Sequence, residues 1–245
     1  MGRLVILSGP SCVGKSPLDK ALGKFYPRLH QGLQHLVLYN SRSPRPGEED
    51  GKDYYFRNKK EIEKLEQEPH YVVMEVRGDL QALDISELKD QLEGGDVFFE
   101  GNPFVGRVLL THEGLKDVAR LSTFMSPVSR GEILELTDPS NHADAQKIIT
   151  DMMRRKLLRR TQKQKGELSL KDLENIEKRA GSAYGELQEA CHFNHIIPNH
   201  DGEDSENWDA FYYPVGDARK ALMAFAGLLK DEVSQHLEKW EEGLL

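Results

Sequence analysis

A chain of 245 residues, 38% apolar and 30% charged, can bury a sizeable core, and one domain with insertions is the simplest count. Its net charge of −8 argues against bulk nucleic-acid binding, which runs on neutralising phosphates. No apolar run approaches the ~18 residues of a membrane span, no apolar leader precedes the first strand, and Cys12 and Cys191 form neither a disulfide framework nor a zinc set, which fits a reducing cytoplasm.

The apolar run Leu4–Leu7 reads as a strand, ends at Ser8 and breaks into Gly9-Pro10-Ser11-Cys12-Val13-Gly14-Lys15-Ser16. That is G-x-x-x-x-G-K-[ST] between a strand and a helical pattern, Pro17–Leu22. Glycine at 9 and 14 lets the loop wrap so that successive N–H groups approach a phosphate chain, and the following helix aims its positive end at the same place. Lys15 then reaches the β- and γ-phosphates, and the Ser16 hydroxyl can ligate Mg²⁺. Gly9–Ser16 is therefore expected to bind a nucleoside triphosphate. Cys12, near a helix N-terminus, carries two readings: a lowered thiol pKa with redox sensitivity, or simple filling of a small-residue position.

Further along, Gln34–Tyr39 reads as a second strand, Asn40–Asp53 as a turn-rich segment punctuated by Pro44, Pro46, Gly47 and Gly51, and Tyr54–Phe56 as a short strand. Asn58 caps a charged helix, Lys59–Glu68; Tyr71–Val76 is a strand; Asp84-Ile85-Ser86-Glu87 opens a helix to about Leu92, stopped by Gly94-Gly95. Asp96–Glu100 has the form of a central parallel strand, Pro103–Leu110 and Gly114–Ala119 look helical, and Leu121–Met125 is a buried strand. Helices are expected over Asn141–Gln164 and Leu170–Ala190, and the last core strand over Phe193–Ile197. Asp201–Asp209 reads as an acidic loop, and Gly216–Trp240 as a final helix with Leu222, Phe225, Leu229, Val233, Leu237 and Trp240 on one packing stripe. Strands alternating with helices imply an α/β fold with a parallel sheet and ligands at the strands' carboxyl ends.

The second distinctive stretch is Asn40-Ser41-Arg42-Ser43-Pro44-Arg45-Pro46-Gly47-Glu48, followed by Gly51-Lys52-Asp53-Tyr54-Tyr55-Phe56. Two arginines three apart in a proline-stiffened loop can present planar forks to one anion, and Tyr54 can add a hydroxyl donor. The bland alternative is a solvated turn with two surface arginines. Together with GPSCVGKS, the stretch NSRSPRPGEEDGKDYYF resembles the guanylate kinase family, whose motifs run in the same order at about the same spacing. The match is sharp over Leu4–Phe56 and fainter to Glu100.

The resemblance implies a P-loop core (1–32, 96–140 and 186–245), an acceptor-binding subdomain (33–95) and a helical lid (141–185). It implies that Lys15 is the catalytic lysine, that Arg42, Arg45 and Tyr54 hold the acceptor phosphate, and that Glu100 ends the central strand as an acid for the acceptor and Mg²⁺. Where the family has a second acid two positions on, this chain has Asn102. The family's base-reading positions fall on Leu38, Val72, Gln81 and Asp84. Either Glu75 or Asp84 takes over guanine, or the acceptor is another phosphorylated molecule. Asn199 falls where the family contacts adenine, with a surface turn as the alternative.

The basic run Arg154–Arg160, continuing to Lys163 and Lys165, has no acid between Met152 and Gly166. An exposed helical face is one reading. The resemblance implies a lid instead, with Arg159, Arg160 and Arg179 as the arginines that close over the transferring phosphoryl group. His192 and His195 are placed on opposite faces of a strand, against shared metal ligation. Asp138 and Glu132 read as ordinary surface acids. The expectation is a cytoplasmic, Mg²⁺-dependent kinase moving the ATP γ-phosphoryl to a nucleoside monophosphate, most simply GMP, with no nucleic-acid or membrane partner. The competing readings are a non-catalytic module that binds phosphorylated partners and a kinase of the same fold with a different phosphorylated acceptor.

Overall fold

The computed structural model describes residues 1–45 and 47–245. Pro46, one of the prolines of the turn-rich stretch, lies outside the described residues. The chain opens with β1 (Leu4–Ser8), buried along its whole length, then α1 (Lys15–Phe25), a short α2 (Pro27–Gln31) and β2 (Leu33–His35). A smaller unit follows: β3 (Leu38–Asn40), β4 (Tyr54–Phe56), α3 (Lys59–Leu65), β5 (Tyr71–Val76) and β6 (Asp79–Asp84). The chain returns through α4 (Ile85–Gly94), β7 (Asp96–Gly101), α5 (Pro103–Thr111), β8 (Arg120–Ser126) and α6 (Arg130–Thr137). Two long helices, α7 (Ala145–Lys165) and α8 (Leu170–Gln188), precede β9 (His195–Pro198) and α9 (Gly216–Leu229).

The main sheet has five strands in the order β2-β7-β1-β8-β9, all paired in parallel. Its central strand needs apolar residues on both faces, and Leu4, Val5, Ile6 and Leu7 supply them. One core side collects Leu4, Ile6, Val97 and Phe124 with the α7–α8 pair; the other collects Val5, Leu7, Phe98 and Phe225 beneath α1 and α9. Burying each such side chain contributes roughly 1.5–3 kcal/mol. Ser8 stands opposite Gly101 on β7, so the phosphate loop starts where β7 delivers Glu100.

The small sheet runs β4-β3-β6-β5, with β3 and β4 parallel and the remaining pairs antiparallel. Arg77 and Gly78, both at positive φ (54° and 79°), form the two-residue turn between β5 and β6, matching the twist of the strands they join.

Several sequence boundaries shift. Gln34–Tyr39 is not one strand: β2 joins the main sheet and β3 the small one, so the smaller unit begins after His35. β6, α2 and α6 are additions; α6 opens with a reciprocal capping box between Ser129 and Glu132, and Asp138 caps a short 3₁₀ turn at Ser140. Gly114–Ala119 contains only the end of a 3₁₀ turn, Glu113–Leu115. The last helix stops at Leu229, with Asp231 in the left-handed region, instead of reaching Trp240. Val233 is consequently exposed, while Trp240 is buried because Glu238 bridges back to Ile196. His192 lies in a 3₁₀ turn and only His195 is on the strand.

Candidate active site

Two glycines allow the phosphate loop to close. A Cβ at Gly9 (φ 150°) would stand 2.4 Å from the Met125 carbonyl oxygen, and one at Gly14 (φ 106°) would stand 2.7 Å from Asn199 Nδ2. Asn199, fully buried, donates to the Val13 carbonyl (2.8 Å) and to that of Asp201 (2.7 Å). It is no surface turn; its amide is spent holding the loop. Asp201 in turn caps α9, accepting from the N–H groups of Asp217 and Ala218.

Inside the loop, Lys15 Nζ donates to the carbonyls of Gly9 and Pro10, both at 2.9 Å. Burial lowers its pKa, with Glu100, Glu203 and Glu186 acting in the opposite sense. Ser16 Oγ donates to Glu100 Oε1 at 2.8 Å. Burial raises the Glu100 carboxyl above the usual range against the pull of Lys15 and Ser16. Cys12 has φ 69° and no exposed surface, and burial, then Glu203, pushes its thiol up to about 12. The lowered pKa read from its place near a helix terminus is overturned, because desolvation outweighs the dipole.

The candidate clamp residues Arg42 and Tyr54 lie on one face of the small sheet. Arg42 makes a bidentate pair with Glu48 (2.6 and 2.7 Å) and stacks over the rings of Tyr54 (5.1 Å) and Phe56 (5.4 Å). Burial opposes its cation, but Glu48 outweighs it and the pKa rises. Arg45 is half exposed and 3.9 Å from Glu48. Burial and then the Arg42 charge lower its pKa, with Arg160 acting in the same direction. Tyr54 is raised by burial, and the charges of Arg42, Arg45 and Glu100 all act on it.

Strand register decides which base-reading candidates share that face. Asn40 pairs with Gln81 and Phe56, and Met74 pairs with Gln81, so Leu38, Asn40, Tyr54, Phe56, Gln81, Met74 and Val72 point together. Glu75 stands opposite Leu80, and Asp84 opposite Tyr71, on the face that packs against Ile62 of α3. Asp84 is further occupied in capping α4 at Ser86 and Glu87. Neither acid is brought to the clamp, because alternation along a strand sends neighbours to opposite sides. Buried Gln81 and Asn40 are the polar side chains there, and Asn40 Oδ1 already accepts from the Arg42 N–H.

Of the three lid candidates, Arg179 is the one in contact with the loop: its Nε donates to Ser11 Oγ at 3.1 Å. Burial, followed by the charges of Arg45, Arg160 and Arg77, holds its pKa well below the ordinary guanidinium value. Arg160 pairs with Glu203 at 2.7 Å, while Arg159 is mostly exposed and 3.7 Å from Asp204. Lys156 donates to the His200 carbonyl at 2.5 Å. The basic run is thus tied to the acidic 203–204 loop rather than presented as a bare face. Burial works to raise Glu203, but Arg160 and Lys15 prevail and its pKa falls.

A further network was not legible in the chain. Glu186 on α8, with no exposed surface, pairs with Arg77 and accepts from Asn102 Nδ2 (3.0 Å) and Ser182 Oγ (2.9 Å). It therefore brings an acid against Asn102, where the strand itself lacks one. The positive φ of Arg77 belongs to an ordinary hairpin turn, and its separation of 109 residues from Glu186 hides the pair from any local pattern.

The sequence profile described as guanylate kinase matches residues 1–77. The guanylate kinase of Corynebacterium efficiens is 30% identical over 203 residues, covering 82% of this chain and 88% of that protein. The chain belongs to the guanylate kinase family. Over a shorter stretch the likeness is higher: the guanylate kinase of Aster yellows witches'-broom phytoplasma is 49% identical over 63 residues, 26% of this chain and 28% of that enzyme. A crystal structure of guanylate kinase from Anaplasma phagocytophilum superposes with a TM-score of 0.56 at 16% identity, covering 96% of this chain and 89% of that one. That likeness shows the fold over nearly the whole chain. Among the described residues no helix is long and apolar enough to cross a membrane.

Proposed function

We propose that this guanylate kinase family member moves the γ-phosphoryl group of ATP to GMP in a cytoplasmic setting. The supporting observation is the arginine set against the phosphate loop: Arg179 Nε from the helical hairpin donates to Ser11 Oγ at 3.1 Å, beside Lys15 and the Ser16–Glu100 pair. Loop N–H groups and Lys15 hold the donor phosphates. Arg42, Arg45 and Tyr54 hold the acceptor phosphate so that its oxygen attacks in line, while Arg179 and Arg160 neutralise charge developing between them. The attacking phosphate is already ionised near neutral pH, so no side chain has to remove a proton from it.

Mg²⁺ fits the residues present. Ser16 Oγ and Glu100 Oε1 are hard oxygen donors 2.8 Å apart, close to the edge of about 2.9 Å in an octahedron with bonds of about 2.0–2.1 Å. Those two side chains would hold the ion, which supplies charge neutralisation at the transferring phosphates when bound. Gln81, whose side-chain amide offers both a donor and an acceptor, is the guanine reader on the clamp face.

The test is ATP consumption over a panel of nucleoside monophosphates and phosphosugars, with Lys15→Ala, Arg42→Ala and Gln81→Leu beside the parent chain. The expected pattern is turnover with GMP, a loss of about 10²–10³ in kcat for Lys15→Ala, and narrowed guanine preference for Gln81→Leu. Tight ATP binding without turnover on any acceptor would leave a binding module, and preference for another acceptor would reassign the substrate.

A further inference from the structure

Away from the groups used above, three potential metal ligands converge where α1, α2 and β2 meet. One ligating atom from each of Asp19, His30 and His35 lies within 4.8 Å of the other two. His30 Nε2 and Asp19 Oδ1 are 3.1 Å apart. The three residues come from successive elements joined by single residues, Tyr26 and Gly32, so their backbones are held closely. The backbone of His35 is fixed by β2 pairing opposite Phe98 on β7, while its side chain is exposed. The His30 ring lies against Gly23, where a Cβ would be 3.5 Å from its atoms.

We propose that Asp19, His30 and His35 form a binding site for a divalent transition-metal ion of the zinc class, with water completing the coordination. The donor set decides the class. Two imidazoles and a carboxylate suit zinc and its neighbours in the first transition row, whereas Mg²⁺ and Ca²⁺ take oxygen ligands. Bonds of about 2.0–2.2 Å make the edges of a tetrahedron about 3.3–3.5 Å, so the Asp19–His30 separation is already within a few tenths of an ångström. His35 is exposed and can turn its ring the remaining distance, leaving the fourth position open to solvent. The ion would fasten α1, which starts at Lys15, to the edge of the main sheet. It uses none of the residues assigned to phosphoryl transfer, and its test reads metal binding rather than turnover.

The experiment is a Co²⁺ titration of the full chain after chelator treatment, read by visible ligand-field absorption, followed by displacement with Zn²⁺. The expected result is a single Co²⁺ per chain, with bands more intense than those of the hydrated ion and lost on adding Zn²⁺. His35→Ala, a change at an exposed side chain, should weaken binding at least about tenfold. Zn²⁺ should raise the thermal midpoint of the parent chain and not that of His35→Ala. Cys191→Ser should bind as the parent does. An absorption spectrum unchanged from hydrated Co²⁺, or equal affinity in parent and His35→Ala, would overturn the assignment and leave Asp19–His30 as a plain contact between helices.

Discussion

Arg179 Nε donates to Ser11 Oγ over 3.1 Å, joining the helical hairpin to the phosphate loop across 168 residues of sequence. The half-buried guanidinium lies among the charges of Arg45, Arg160 and Arg77, a crowding of like charge that an incoming polyphosphate would relieve. Arg179→Ala should therefore lower kcat by about 10³ while ATP affinity changes far less. Steady-state kinetics beside ATP titration check this. A kcat within about threefold of the parent would remove Arg179 from the transferring group.

Glu48 accepts both terminal nitrogens of Arg42 and also the Arg45 N–H at 2.7 Å. It is a positioning residue: it sets the Arg42 fork and the turn that carries Arg45. Hydrogen bonds to charged groups are worth about 1.5–3 kcal/mol, so Arg42→Ala should raise the GMP KM roughly ten- to hundredfold. Glu48→Ala should raise it in the same direction with little change in kcat. A Glu48→Gln chain that recovers most of the parent KM would identify the effect as positioning. A Glu48→Ala KM equal to the parent's would refute it.

His200 bridges Glu132 of α6 (2.9 Å) and Asp217 of α9 (2.6 Å). Burial disfavours its cation, but hydrogen bonds to Asp217 and Glu132 outweigh it and raise its pKa. A histidine bound more tightly to its proton when folded adds stability in full below its unfolded value of about 6.5. That contribution fades as pH rises through the folded value. Because the ring is half exposed, solvent screening limits the effect to about 1 kcal/mol or less. Urea melts of parent and His200→Gln should differ most in acid and converge above neutrality; a gap that widens with pH would contradict this.

Cys12 is fully buried with its thiol pushed up to about 12, whereas Cys191 is half-buried. Thiol reagents act on the thiolate, so the native chain should lose Cys191 slowly and Cys12 only after unfolding. A Cys191→Ser chain treated with a thiol-exchange reagent isolates the point. Its rapid modification while folded would show that the phosphate loop opens.

Much of the site was readable in order because its signals are local. GPSCVGKS places Lys15 and Ser16 by backbone geometry alone, and the spacing of Arg42, Arg45 and Tyr54 sets the clamp within one loop and strand. The losses have physical causes. Gln34–Tyr39 is apolar enough for one strand, yet each half found hydrogen-bonding partners in a different sheet. The helix drawn to Trp240 had a continuous apolar stripe, but pairing between Glu238 and Ile196 stabilises a non-helical return that still buries Trp240. Glu75 and Asp84 were near the right positions in number and on the wrong side of the sheet.

From its residues alone, this chain determined a glycine-lined loop between a strand and a helix, an arginine-bearing turn and an alternating α/β order, because each depends on neighbours a few positions apart. Tertiary structure decided which face each strand residue took, which arginine reached the cradle, and that Glu186 would stand beside Asn102. Those outcomes depend on strand register and on contacts between residues far apart in sequence. No local pattern encodes such pairings, since their energy arises only when the sheet and the helical hairpin close around the same cleft.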